Sequence, residues 1–325
     1  MFSWKKINRP IIALSPMADM TDAPFCRTVK SLASPIIFRE MVSSEAIIRG
    51  NQKTLNMTKI HKDEHLLIQQ IFGKDPDTMA KAAKIIEEQF YPDGIDINMG
   101  CPVYKMISNF NGAALMKDPG LACRIVQKVK STIAIPVSVK IRAGWSDPNE
   151  CIEFVKSLES AGADLISIHG RTKVQAYSGK ANWQVIAQAK KQVSIPVLAN
   201  GDIFSADLAL QALDQTKCDG VLIGRGALGN PWIFSQIEDT LCQKSLRPVS
   251  IQERVYIIKQ HLNFHIQQYG PKSVIRFRKH LCWYLKGLPN IKNLRMKMVQ
   301  VLTVEEVETI LDELRSSFST SSNNV

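Results

Sequence analysis

The 325-residue sequence predicts an α/β fold, a (β/α)8 TIM barrel followed by a smaller all-helical domain. Three observations predict it. Eight short apolar runs recur over roughly the first 230 residues, each followed by a helix-like stretch, as in a barrel of parallel strands. Polar or reactive residues gather at the ends of nearly all eight runs, at the barrel face where chemistry collects. Past Trp232 the strand-like runs cease and helical periods take over. A doubly wound sheet would also alternate strand and helix, but no Gly-x-Gly-x-x-Gly turn follows the first run.

Strands are expected at 11–14, 36–39, 67–71, 95–98, 137–141, 165–169, 197–199 and 220–223. Helices are expected at 76–90, 119–130, 148–161 and 205–213, several opening with Asp or Ser near Pro. The first run follows Lys5, Lys6 and Arg9 but stops at Ser15-Pro16, too short for a secretory h-region. At the run ends stand Pro16, Met17 and Ala18 (one), Glu40 (two), Gln70 (three), and Asn98 with Cys101 (four). Lys140 and Arg142 mark run five, and His169 and Arg171 mark run six. Asn200, Gly201 and Asp202 follow run seven, and Gly224, Arg225 and Gly226 follow run eight. A structural scaffold has no need of polar groups at nearly every such position, so the pattern points to an enzyme.

The stretch from Gly94 to Pro102 carries the most information. Its first part alternates like a strand, Gly100 offers a sharp turn, and Pro102 stops the pairing ladder. Cys101 is thereby held just past a strand end, and the amide of Asn98 lies three residues before it. A buried structural cysteine is the plain alternative. The glycine turns after runs seven and eight suit a phosphate, with backbone N–H groups and the Arg225 fork aimed at an anion.

Composition narrows the class. No run of about 18 apolar residues exists, so no membrane-spanning helix is expected. The seven cysteines form no Cys-x-x-Cys pair, which argues against zinc or disulfide frameworks and for a reducing, cytoplasmic setting. From Cys242 to Gln300 there are twelve Lys/Arg and one acid, Glu253. That segment accounts for the whole net charge of +11, and the rest balances at 29 against 29. Such a concentrated basic field suits a polyanionic partner. Helices are expected there at 251–269, 273–286, 291–302 and 304–318. In the second, Val274, Phe277, Leu281, Leu285 and Leu288 recur on a core face. Arg276, Lys279, Trp283 and Lys286 recur on another face, suited to a nucleic-acid backbone, though an ordinary amphipathic helix also reads this way. The expected organisation is a barrel over 1–240, a helical domain over 241–318 and a disordered Ser/Asn-rich tail over 319–325.

Several segments together resemble the tRNA-dihydrouridine synthases, above all the bacterial B-type. They are Ser15-Pro16-Met17-Ala18 with Thr21-Asp22, Asp96-Ile97-Asn98-Met99-Gly100-Cys101-Pro102, and Val139-Lys140-Ile141-Arg142-Ala143-Gly144-Trp145. Ile168-His169-Gly170-Arg171-Thr172, Ala199-Asn200-Gly201-Asp202-Ile203 and Ile223-Gly224-Arg225-Gly226 continue the match. Tyr269-Gly270-Pro271 and Arg278-Lys279-His280 with Trp283-Tyr284-Leu285 extend it into the helical region. Phe110-Asn111-Gly112 is a local departure.

The resemblance implies FMN in the barrel, NADPH as reductant and tRNA gripped by the helical domain. Pro16, Met17 and Ala18 would contact the flavin through backbone, and Gln70, Lys140 and His169 its ring and ribityl edge. Asn200, Gly201, Asp202, Gly224 and Arg225 would hold its phosphate. Cys101 would be the acid that protonates C5 of a uracil ring while hydride reaches C6. Asn98 would orient the base, and Arg171, Arg276, Lys279 and Lys286 would meet the RNA. A monomer without a metal is expected. Two rivals remain at this stage: a flavin barrel for a free pyrimidine, similar to dihydroorotate dehydrogenases, and an RNA-binding protein whose barrel has lost catalysis.

Overall fold

The computed structural model describes residues 2–8, 10–289 and 291–319. Apart from Ser319, the tail expected at 319–325 lies outside the described residues. Eight parallel strands close into a barrel in sequence order. They are β1 (Ile11–Leu14), β2 (Ile36–Ser43), β3 (Leu67–Phe72), β4 (Gly94–Met99), β5 (Val137–Gly144), β6 (Leu165–Thr172), β7 (Val197–Asn200) and β8 (Gly220–Ile223). Every expected strand is present. β2, β5 and β6 run several residues further than their apolar cores suggest, past register slips between Arg39 and Val42 and between Arg142 and Gly144. The extensions mix charged, glycine and apolar residues, so hydrophobic periodicity could not see them. Their consequence is that Glu40 and Arg171 stand on strands and not past them, and that the strands carrying Arg142 and His169 continue beyond those residues.

The barrel interior changes character along its length. Ile11, Ala13, Ile36, Phe38, Ile68, Leu165, Leu198 and Leu222 form one apolar cluster, with Trp4 packed into it. Side chains two residues apart on a strand share a face. The next inward positions toward the C-terminal ends are therefore Gln70, Ser167 and Asn200. Register sets Gln70 beside Asp96, Asp96 beside Ser138, Asn98 beside Lys140, Arg142 beside His169, and His169 beside Asn200. Hydrophobic packing thus fills the N-terminal half and a polar ring lines the C-terminal half. The Asp-Pro helix starts behave as expected. Asp75 caps Pro76–Phe90 and Asp118 caps Pro119–Thr132, each accepting a backbone N–H three residues on.

The chain divides into two compact units, 1–21 with 35–225 and 22–34 with 226–325. The boundary expected near 240 therefore falls earlier, and the helix Ala23–Lys30 belongs to the second unit. Its side chains explain why. Phe25 lies against the rings of His261 and His280, the Arg27 guanidinium sits 4.1 Å from the centre of the Phe264 ring, and Ser31 Oγ donates to Gln260 at 2.9 Å. Sequence distance hid this arrangement. The helix Ile251–Tyr269 is capped by Ser250 and ends at Gly270, whose φ of +80° suits glycine. Next come Val274–Tyr284, Lys292–Met298 and Val304–Ser319, the second of these shorter than the expected 291–302. Val274, Phe277, Leu281 and Leu285 are buried in this unit's core, and Leu288 packs at its edge. Among the described residues no helix is long and apolar enough to cross a membrane.

Candidate active site

The loop after β4 is fastened from several sides. Asn98 is 7 % exposed, and its Oδ1 accepts the backbone N–H groups of Cys101 at 3.0 Å and Gly100 at 3.2 Å. Arg142 Nε donates to the Gly100 carbonyl at 2.8 Å. The Cys101 carbonyl accepts from Ala113 N at 3.1 Å. The thiol itself is half-buried, and Lys140 and Arg142 are within its electrostatic reach. Gly100 is not in the left-handed region, so its expected role in a sharp turn is replaced by another. A Cβ there would approach the backbone of Ile141 and Lys140 at 3.2–3.3 Å, so glycine lets the loop lie against β5.

Gly112, which looked like a local departure, supports the same loop. Its φ is +61°, and a Cβ would come within 2.9 Å of the Cys101 carbonyl oxygen and 3.0 Å of the Cys101 Cβ. Left-handed backbone costs an L-residue about 1–2 kcal/mol before any clash. Gly112→Ala is therefore expected to shift the thiol and lower turnover about tenfold while leaving the barrel folded. Circular dichroism and the initial rate, measured together, check this; an unchanged rate would mean that the loop tolerates the displacement.

Around the mouth the charged groups share their partners. Lys140 Nζ donates to Asn200 Oδ1 at 3.2 Å, and Asn200 Nδ2 donates to the Leu222 carbonyl at 2.6 Å. Burial, with the Arg142 guanidinium beside it, holds the Lys140 ammonium down to about 8, against the opposing pull of Asp96 and Cys101. His169 is 7 % exposed. Burial first, and then Lys140, Arg142, Arg171 and Arg225, hold its imidazole well below the ordinary histidine range, so the ring is neutral at pH 7. Arg171 Nη1 lies 3.3 Å from His169 Nε2. An arginine only donates, so Nε2 is the acceptor and the ring proton sits on Nδ1.

Arg171 was expected to meet RNA, but its side chain is turned inward and is 2 % exposed. It donates to the Ser178 and Gly179 carbonyls and, at 2.7 Å, to Asp202 Oδ2. Asp202 also faces Arg225 at 3.4 Å and accepts Ala181 N at 2.8 Å. Its carboxylate therefore orients two guanidinium groups, leaving its backbone to any anion above. Gly201 has φ +120°, and a Cβ there would meet His169 Cδ2 at 2.9 Å and Ala181 Cβ at 2.7 Å. At Gly224 a Cβ would meet only ordinary contacts, from 3.5 Å outward. The protein itself does not demand glycine there, whereas a ligand lying close above it would. After β1, Met17 N donates to Thr21 Oγ1 at 2.8 Å and the Met17 carbonyl accepts from Met20 and Thr21. The Met17 backbone is thus engaged within the protein, and its Sδ faces Gly224. Glu40 accepts Asp19 N at 2.7 Å and steadies the same loop as Pro16 and Ala18.

Arg276, Lys279 and Lys286 belong to the second unit. Arg276 is exposed and stacks on Tyr269 at 4.8 Å, Lys279 is half-buried, and Lys286 lies just past the helix end, 5.0 Å over the Trp283 ring. Sequence reading missed Tyr177 and the buried Asp96. Tyr177 is 58 % exposed, with Arg225 4.7 Å and Arg142 5.6 Å from its ring centre. No periodicity marks a single aromatic in a loop, and Asp96 gave no signal beyond standing two residues before Asn98.

The Dihydrouridine synthase (Dus) family model matches residues 12–322. The chain is 41 % identical over 293 residues to tRNA-dihydrouridine synthase B of Pasteurella multocida, covering 89 % of this chain and 87 % of that one. It is 38 % identical over 288 residues to a probable tRNA-dihydrouridine synthase of Rickettsia bellii, covering 87 % and 88 %. Among solved structures it is similar to histamine dehydrogenase from Rhizobium sp. 4-9, with TM-score 0.56 and 13 % identity over 78 % of this chain and 48 % of that one. The likeness in structure concerns the fold alone.

Proposed function

The chain belongs to the dihydrouridine synthase family, and from that membership we propose that it reduces the C5–C6 double bond of uridines in tRNA, with FMN at the barrel mouth and NADPH as reductant. The observation that carries this reading is the half-buried Cys101, its backbone bonded to Asn98, at a mouth it shares with Lys140 and His169.

The residues present fit a flavin phosphate and ring. Gly224 leaves room that its neighbours do not need, and Gly201 and Asp202 turn the β7 end with their backbone toward the mouth loops. Arg225 is half-exposed and supplies a fork for phosphate. Gln70, Lys140 and neutral His169 would bind the ring and ribityl edge, and Pro16, the Met17 side chain and Ala18 would flank it. The cofactor, when bound, supplies the hydride that no side chain can. Lys140 keeps a cation at the mouth below about pH 8 for the negative charge that accompanies reduction. Cys101 delivers a proton to C5, and Asn98 fixes the backbone from which the thiol projects. Arg171 holds His169 and the β7 loop in place. Arg276, Lys279 and Lys286 offer charge to the tRNA backbone. Drawing a uridine out of its stack costs a few kcal/mol, least where the RNA loop is already weak, and those contacts offset it.

Two measurements test the reading together. The purified protein should be yellow with one FMN per chain, and tRNA from a strain lacking the gene should lose dihydrouridine at positions that the gene restores. A colourless protein that takes up no flavin, with an unchanged dihydrouridine map, would sink it.

A further inference from the structure

We infer that Asp96 is a positioning residue of this reaction: a buried carboxylate at the root of a one-way hydrogen-bond chain that runs through Gln70 and Asn98 to the backbone of Cys101. The inference rests on the reading of the mouth as a reductase site. Asp96 lies on β4, fully buried. Its Oδ2 accepts from Gln70 Nε2 at 2.6 Å, and its Oδ1 accepts from Ser138 Oγ at 2.6 Å. Gln70 Oε1 then accepts from Asn98 Nδ2 at 2.8 Å, and Asn98 Oδ1 accepts from Cys101 N at 3.0 Å. Every donor points back toward Asp96.

The direction is forced by chemistry. A carboxylate only accepts, so it turns the amino end of Gln70 inward and its carbonyl outward. That carbonyl selects the amino end of Asn98, which leaves the Asn98 oxygen for the Cys101 loop. A side-chain amide has two nearly isosteric orientations, and an anion at the root removes the choice for both. Burial pushes the Asp96 carboxyl up to about 6, while Ser138, Gln70 and Lys140 pull the other way. Isolated burial of an ionised group is unfavourable. An asparagine would fill the same space without that penalty, so what the carboxylate adds is the fixed direction of the chain and its charge. Its second effect falls on Lys140, which Asp96 and Cys101 hold protonated against burial and Arg142, with His169 and the Asn200 amide also facing it.

Asp96→Asn keeps the shape and removes the charge. The full chain as purified is labelled across a pH series with acetic anhydride for Lys140 and iodoacetamide for Cys101, each read at its own peptide by mass spectrometry. The midpoint of Lys140 labelling should move to lower pH, because the neutral amine appears sooner. Alkylation of Cys101 should speed up several-fold as its loop loosens, and dihydrouridine formation should fall about tenfold or more. The folded carboxyl sits above its unfolded value, so the charge detracts from stability as pH rises from about 4 to about 6. The variant's Tm at pH 7.5 should therefore equal or exceed the parent's, a result that a merely structural role would reverse. Ser138→Ala gives a second test should the first variant fail to fold. It takes away a hydrogen bond that favours the ionised carboxyl, so the Lys140 midpoint should move down and Cys101 alkylation rise, both by less than in Asp96→Asn. Unchanged labelling of both residues in Asp96→Asn, or of Cys101 in Ser138→Ala, overturns the role of Asp96. Neither readout needs turnover, so a parent that makes no dihydrouridine would instead overturn the proposed function.

Discussion

Cys101→Ala is expected to keep flavin content and reduction by NADPH while dihydrouridine formation falls by about 10²–10⁴-fold, the usual range for losing a positioned general acid. The expectation follows from what the thiol does not do. It makes no hydrogen bond that holds the fold, since the Cys101 loop is fastened through backbone groups to Asn98 and Ala113. Removing the sulfur therefore leaves the mouth intact and takes away only the proton for C5. Cys101→Ser sharpens the test. A hydroxyl has nearly the same shape but is a far weaker acid, so it should leave tRNA affinity unchanged and fail to restore the rate. Nucleoside mass spectrometry on a defined tRNA, with flavin reoxidation followed in parallel, separates the two. Product at the parent rate in either variant would assign the proton to another donor.

The parts of this site legible in the sequence were those that obey a period. Strand cores alternate or run apolar, so all eight were found, and with them the residues at their ends. The mixed ends of β2, β5 and β6 broke that period because they line a mouth and not a core. Glu40 and Arg171 were accordingly located, but placed past the ends of their strands. Roles that depend on partners were less visible. Arg171 looked like an RNA contact because a cation near a strand end is an open offer in sequence; Asp202 and two carbonyls take it up in space. Gly100 looked like a turn because sequence does not say which backbone will approach it. The same limit hid the second unit's claim on residues 22–34. Phe25 and Asp22 lie more than two hundred residues from His261 and His280, and only the fold brings Asp22 and the two imidazoles within 4.8 Å.

Charge placement carries the second large expectation, which concerns affinity. Changing Arg276, Lys279 and Lys286 together to glutamine should weaken tRNA binding roughly 10²-fold near 0.1 M salt, since each phosphate contact contributes close to one unit of slope in log K against log salt. The three cations differ in setting, and this orders their expected contributions. Lys286 is exposed just past its helix, over the Trp283 ring, so it presents charge and an aromatic face together. Arg276 is exposed and lies over Tyr269 in the same way. Lys279 is half-buried and should contribute least. None is part of the barrel unit, so reduction of bound flavin by NADPH should proceed at the parent rate. A filter-binding titration at several salt concentrations is the measurement, with slope as well as midpoint recorded. A slope smaller by two to three units would locate the phosphate contacts on these residues. Equal affinity and equal slope would move the gripping surface elsewhere among the twelve cations between Cys242 and Gln300, or off that segment altogether.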